Sequence, residues 1–167
     1  ITVAVGTGNT TTIDTGVGGD NGLSGINAWA SSSSGFVDTV YAGDLKGNVW
    51  KMTGIATTGV ADLLFDAGTS QPITATPLVS KNPATGDTWV FIGTGRYLND
   101  ADVSNNDVQS WYGLIDKGAL PINKANLRET EILAEVTPAG SNALRVIPSS
   151  GSSGVSGWYM DLVSPAA

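Results

Sequence analysis

Two short stretches fifty positions apart share one pattern. Val40–Asp44 reads VYAGD and Val90–Thr94 reads VFIGT: a valine, an aromatic ring, a free position and a glycine. Each is followed by a loop and then by a strand pattern carrying tryptophan, Trp50 after the first and Trp111 after the second. A unit of that length, built from several short strands, is the signature of propeller blades, whose sheets pack face to face. Such packing accounts for Thr88–Gly93, TWVFIG, which has almost no polar position and reads as a strand covered on both faces. A β-sandwich with two similar hairpins is the other reading. The expected fold is therefore all-β, a partial β-propeller of short antiparallel strands. A chain of 167 residues has room for roughly three such blades. A propeller usually closes with more, so residues 1–167 read as a single domain or as a fragment of a larger propeller.

The best-specified local element is the hairpin in the first repeat. Phe36–Ala42, rich in Val and Tyr, reads as a strand, GDLKGN is the turn with Gly47 free to adopt positive φ, and Val49–Met52 returns. Trp50 and Met52 share a face because side chains alternate. Residues 1–27 are Gly- and Thr-rich and read as a mobile lead-in with two short strand candidates, ITVAVG and TTTIDTG. Gly54–Gly68 reads as a connection with an apolar centre, PITATPLVS as an edge strand, and SWYGLID, NALRVIP and GWYMDLV as strands. At most a turn or two of helix is expected near Ile122–Leu127. Trp50, Trp89 and Trp111 fall in strand patterns and read as core, whereas Trp29 reads as an exposed contact.

Composition removes several classes of function. Net charge is −7, and the eight basic residues are scattered, so no basic stripe is available for nucleic acid. The chain has no cysteine and no histidine, which rules out disulfides, thiolate zinc sites and the commonest general base. Any metal would be hard and oxygen-ligated, with calcium first. No apolar run is long enough to span a membrane, and no signal peptide opens the sequence, which reads as an excised piece of something longer. GTG at Gly93–Gly95 lacks the Lys-Ser/Thr and the helix of a phosphate loop.

Five segments in order, VDTVYAGDLKGNVWKM, QPITATPLVS, VFIGTGRYL, VQSWYGLID and SGWYMDL, resemble successive signatures of the PilY family of type IV pilus assembly and tip-adhesin proteins. The resemblance runs from about Leu23 to Leu162. It implies a modified C-terminal β-propeller and a non-enzymatic role in pilus biogenesis, surface adhesion and twitching motility. It also implies an exported bacterial protein at the pilus tip or cell surface, working with minor pilins and a host or surface receptor. Self-assembly through open blade edges is a further expectation. A quinoprotein-like propeller dehydrogenase and an extracellular filament or surface-layer subunit are the competing classes.

The same resemblance implies a calcium loop ahead of VYAGD. On that pattern Ala30, Ser32, Ser34 and Asp38 take the ligand positions, and Gly35 the turn glycine. Only Asp38 keeps a carboxylate, so the loop reads as a degenerate site. A second candidate is LNDADVSNNDVQ, where Asp100, Asp102 and Asp107 lie in one loop with Asn99 and Asn105. An exposed Asn/Asp loop is its alternative reading. No bound cofactor is expected beyond a calcium ion.

Overall fold

A computed structural model describes residues 2–4, 10–29, 36–55, 57–140, 142–148 and 156–163. Its strands are β1 (Thr2–Ala4), β2 (Thr10–Thr12), β3 (Asn27–Trp29), β4 (Thr39–Gly43), β5 (Asn48–Thr53), β6 (Val60–Asp66), β7 (Leu78–Lys81), β8 (Thr88–Gly93), β9 (Ser110–Asp116), β10 (Arg128–Glu129), β11 (Ala134–Val136), β12 (Leu144–Val146) and β13 (Gly157–Asp161). Among the described residues helix is confined to 3-10 turns at Asp100–Ser104 and Lys124–Asn126, the second where a turn of helix is expected.

The turn of the first hairpin forms as the sequence dictates. Gly47 sits at φ 85°, and a Cβ there would lie 2.2 Å from the Gly68 carbonyl oxygen, so only glycine fits. β4 and β5 pair antiparallel with Ala42 opposite Trp50 and Val40 opposite Met52. With β3 and β6 they make a four-stranded antiparallel sheet in chain order. β6 occupies the segment read above as a connection. Its apolar centre is a strand because β5 offers a free edge, and a bulge at Val49/Trp50 admits one extra residue. That extra residue lets Leu64 and Phe65 both reach the core between the sheets, while Leu63 faces the other side.

The second sheet has the order β10-β13-β9-β8-β7, antiparallel except for the β10–β13 pair. β7 is its edge, as the flanking prolines require. The sheets pack face to face. Tyr41, Val49 and Phe65 of the first meet Val90, Tyr112 and Leu114 of the second in one buried cluster, with the Phe65 and Tyr112 ring centroids 4.8 Å apart. The opposite face of the first sheet buries Val40, Ala42, Trp50 and Met52 beneath Ile13 and Val17. Residues 12–27, read as a lead-in, are thus partly a cover for that face. Two ribbons, β1–β2 and β11–β12, complete the described strands.

Three expectations change here. The described residues form two sheets of blade size where roughly three were expected, because the described part of the span between β9 and β13 builds turns, the short β10 strand of the second sheet and the β11–β12 ribbon. The β8 strand is covered on one face only: Val90 and Ile92 are buried, Trp89 and Phe91 half-buried. Trp111 is not core but 53% exposed, whereas Trp29 packs against the central cluster.

Segment Gln71–Thr74 stitches the two sheets along one rim. The Ile73 N–H donates to the Asp44 carbonyl at 2.9 Å, and the Gly95 N–H donates to the Pro72 carbonyl at 2.7 Å. The β4–β5 turn and the long β8–β9 loop are thereby held side by side.

Candidate functional site

The carboxylates read as calcium ligands are not brought together. Asp38 is exposed, and Ala30–Gly35 lie outside the described residues. Asp100 and Asp102 share the 3-10 turn in the middle of the β8–β9 loop, but Asp102 turns inward. Its Oδ1 accepts from Arg96 Nε at 2.8 Å and lies 2.7 Å from Arg96 Nη2. Its Oδ2 accepts from the Leu98 and Asn99 amides at 2.8 and 3.2 Å. The Leu98 N–H, with Arg96 and Asn99, outweighs the opposing effect of burial and holds this carboxyl below its usual range. Asp107 accepts from Asn105 Nδ2 at 3.1 Å. No group of three or more acidic side chains that could hold a metal occurs among the described residues. Asp102 is a brace: Arg96 and the Leu98 and Asn99 amides hold its carboxylate, and the Asn99 side chain caps the turn by accepting from the Ala101 N–H. We expect excess calcium and excess chelator to give the same melting midpoint; a rise with calcium would point to the 30–38 loop.

Among exposed polar residues such as Asn99, Asp100 and Asn106, the braced loop also presents three large apolar side chains. Tyr97, Leu98 and Val103 are 74%, 63% and 69% exposed. The base of the loop is fixed: Gln71 Nε2 donates to the Val108 carbonyl at 2.9 Å, and the Leu162 N–H to the Gln109 carbonyl at 2.8 Å. Leu98 also borders a hollow of about 190 Å³ on the stitched rim, shared with Leu23, Leu45 and Ile73. Large apolar side chains displayed on a rigid loop are suited to a protein contact, since little ordering entropy remains to be lost on binding.

Two buried polar constellations were not singled out from the sequence. Asp44, fully buried, accepts from Asn21 Nδ2, Trp50 Nε1, the Lys46 and Asn48 amides and Asn48 Nδ2, all between 2.9 and 3.2 Å. Burial pushes its pKa up, but the bonds from Asn21, Trp50 and Asn48 prevail and the net shift is down. The spacing Asp44-x-x-x-Asn48-x-Trp50 within a hairpin turn was the available signal. The second constellation joins the sheets. Asp116 lies 2.7 Å from Lys51 Nζ and accepts from Tyr41 Oη at 2.8 Å. Lys51 and Tyr41 are 65 and 75 positions away from it, so no local pattern announces the pair.

Comparison with known proteins follows this architecture closely. The chain is 44% identical over 149 residues, 87% of its length, to the type IV pilus biogenesis factor PilY1 homolog of Xylella fastidiosa. The chain belongs to the PilY1 family. PilY1 of Pseudomonas aeruginosa is 28% identical over 191 residues. The crystal structure of the P. aeruginosa PilY1 C-terminal domain superposes with a TM-score of 0.71 at 25% identity, covering 93% of this chain and 42% of that one. The chain spans only 12% of the Xylella PilY1 homolog's length and 16% of the Pseudomonas PilY1's. No family model matches it. No helix among the described residues is long and apolar enough to cross a membrane.

Proposed function

We propose that the chain is part of the C-terminal domain of a type IV pilus biogenesis factor and works by protein contact, without catalysis. The observation that carries this reading is its identity to the Xylella PilY1 homolog across nearly its whole length. In this reading its two stacked sheets are consecutive blades of a modified propeller. The parent protein is exported to the cell surface or pilus tip, engages minor pilins or other pilus components, and supports extension, attachment and twitching motility.

The braced β8–β9 loop is the contact element in this reading, with Tyr97 and Leu98 as its anchors. A Tyr97→Ser, Leu98→Ser double variant of the parent protein is expected to fold normally, because both side chains are exposed. Loss of two anchors at a contact weakens it by roughly tenfold or more, so surface pili per cell should fall. Wild-type piliation at normal protein levels would remove the loop from the contact, and wild-type piliation on deleting the parent would remove the pilus role itself.

A further inference from the structure

Asn21 is one of the groups that hold Asp44, and the residue after it is Gly22. An asparagine followed by glycine is the dipeptide most prone to react with itself. The Gly22 backbone nitrogen attacks Asn21 Cγ, with no β-carbon on Gly22 to hinder the approach. The bond from Cγ to Nδ2 breaks, ammonia leaves, and a five-membered succinimide closes. Water then opens the ring at either carbonyl. One product is aspartate. The other is isoaspartate, whose main chain runs through the former side chain and is one carbon longer. The only co-reactant is water.

The fold restrains this pair. Asn21 Nδ2 donates to Asp44 Oδ2 at 2.9 Å, which fixes the side chain. The Asn21 N–H donates to the Gly19 carbonyl at 2.8 Å, and the Gly22 carbonyl accepts from the Leu45 N–H at 3.1 Å. The main chain is thus held on both sides of the reacting peptide. Losing Nδ2 as ammonia requires the side chain to leave Asp44. Ring closure therefore proceeds through openings of the turn, at a rate set by how much of the protein is open.

Neither product fits the site that Asn21 leaves. Asn21 Oδ1 is already buried and accepts from no described group. In aspartate, an anionic oxygen would replace the donor that faces Asp44 Oδ2, and the second oxygen would keep the donorless position. Two carboxylates would then meet where one was held by donors. Isoaspartate instead inserts a backbone atom ahead of a short ladder. That ladder consists of the Gly22–Leu45 bond, the Leu23–Asp44 bridge and the Ser24 N–H donating to the Gly43 carbonyl at 2.8 Å. Either product slackens a segment that lines the hollow on the stitched rim, together with Leu45, Ile73 and Leu98.

We propose that Asn21–Gly22 is a spontaneous deamidation site kept latent by Asp44, and that its conversion to aspartate or isoaspartate loosens the β4–β5 turn. Conversion records how often that turn has opened. The inference rests on the hairpin alone and is independent of the pilus role.

Peptide mapping by mass spectrometry of the parent protein, aged in mildly alkaline buffer, measures aspartate and isoaspartate formed at residue 21. In urea Asn21 is expected to convert freely, and in the folded protein at least about tenfold more slowly. Asp44→Ala should raise the folded rate several-fold. Gly22→Ala should keep the fold, because its Cβ would meet only Leu45 Cδ1, at 3.8 Å, and it should slow conversion in urea. An Asn21 that converts as fast folded as unfolded, or that stays intact in urea, overturns the proposal. So does a folded Asp44→Ala variant that converts at the wild-type rate. Asn21→Asp reads the consequence separately and should melt clearly below wild type; an equal melt overturns the loosening. If Asp44→Ala does not fold, the folded-to-urea ratio and Asn21→Asp still decide.

Discussion

Asp44→Ala is expected to be the most damaging single substitution in the chain. It removes both acceptor oxygens from a fully buried site and leaves the Trp50 indole N–H, the Asn21 amide and two backbone N–H groups without partners. Each unsatisfied buried donor costs about 1–3 kcal/mol, so the total is on the order of 3–5 kcal/mol after relaxation and water access. For a domain of this size that corresponds to a fall in melting temperature of roughly 10 °C or more. Asp44→Asn should be milder but still clearly destabilising. It keeps the volume and one acceptor oxygen, yet turns an amide NH₂ towards groups that are themselves donors. Differential scanning calorimetry on the three proteins checks the order wild type, Asn, Ala. An alanine variant that melts within about 2 °C of wild type would show that the hairpin does not depend on its carboxylate.

The effect should not stay local. The Asp44 backbone carbonyl receives Ile73 N–H, and Gly43 accepts no side chain because Ile73 lies 2.1 Å from where its Cβ would be. The turn around Asp44 is thus one half of the stitched rim. Loosening it frees segment Gln71–Thr74, which positions Gly95 and the base of the contact loop. Hydrogen exchange in the Asp44→Ala variant should rise at Ile73 and Gly95 as well as in the hairpin.

How much of this could be read from the sequence depended on how local the cause was. The β4–β5 hairpin was legible because its turn glycine, alternation and tryptophan all lie within Phe36–Met52. The edge position of β7 was legible from its prolines. β6 was not, because its strand character comes from pairing with β5 and from a bulge that composition does not signal. The two-faced burial expected of β8 failed for a related reason: apolar residues indicate that a face wants cover, not that this chain supplies it. Trp111 is the plainest case, core by pattern and half-open in the fold. The acidic loop was legible as a cluster and not as a structure. Asp102 looks like a ligand beside Asp100, but Arg96, six residues earlier, occupies it. Asp116 was invisible as part of this clip, since both of its side-chain partners belong to the other sheet and only the Gly118 N–H is local.

That last residue carries the second large effect. Asp116→Ala is expected to destabilise by about 2–3 kcal/mol, because it leaves the Lys51 ammonium and the Tyr41 hydroxyl facing each other between the sheets without their acceptor. The figure is set below that of a fully buried pair because the Lys51 side chain is 20% exposed. Replacing all three groups, Lys51→Met, Tyr41→Phe and Asp116→Leu, should recover most of the loss, since apolar packing of similar volume replaces the ion pair without stranding a charge. Acid should act on the same clip. Burial raises the Asp116 pKa, but the hydrogen bonds from Lys51 and Tyr41, and the lysine charge, hold it below the usual value. A carboxylate with a lower pKa in the folded state contributes stability that is complete above its unfolded value, about 4, and is lost as pH falls through the folded value. Asp44 is shifted in the same direction. The melting temperature should therefore change little between pH 7 and about pH 5 and drop below about pH 4, and the drop should be shallower in the triple variant. A triple variant with the same acid slope as wild type would assign the acid sensitivity to Asp44 and Asp102, which is also held low, and a wild type that melts at the same temperature at pH 3 and pH 7 would show that none of the three carboxylates is held as described.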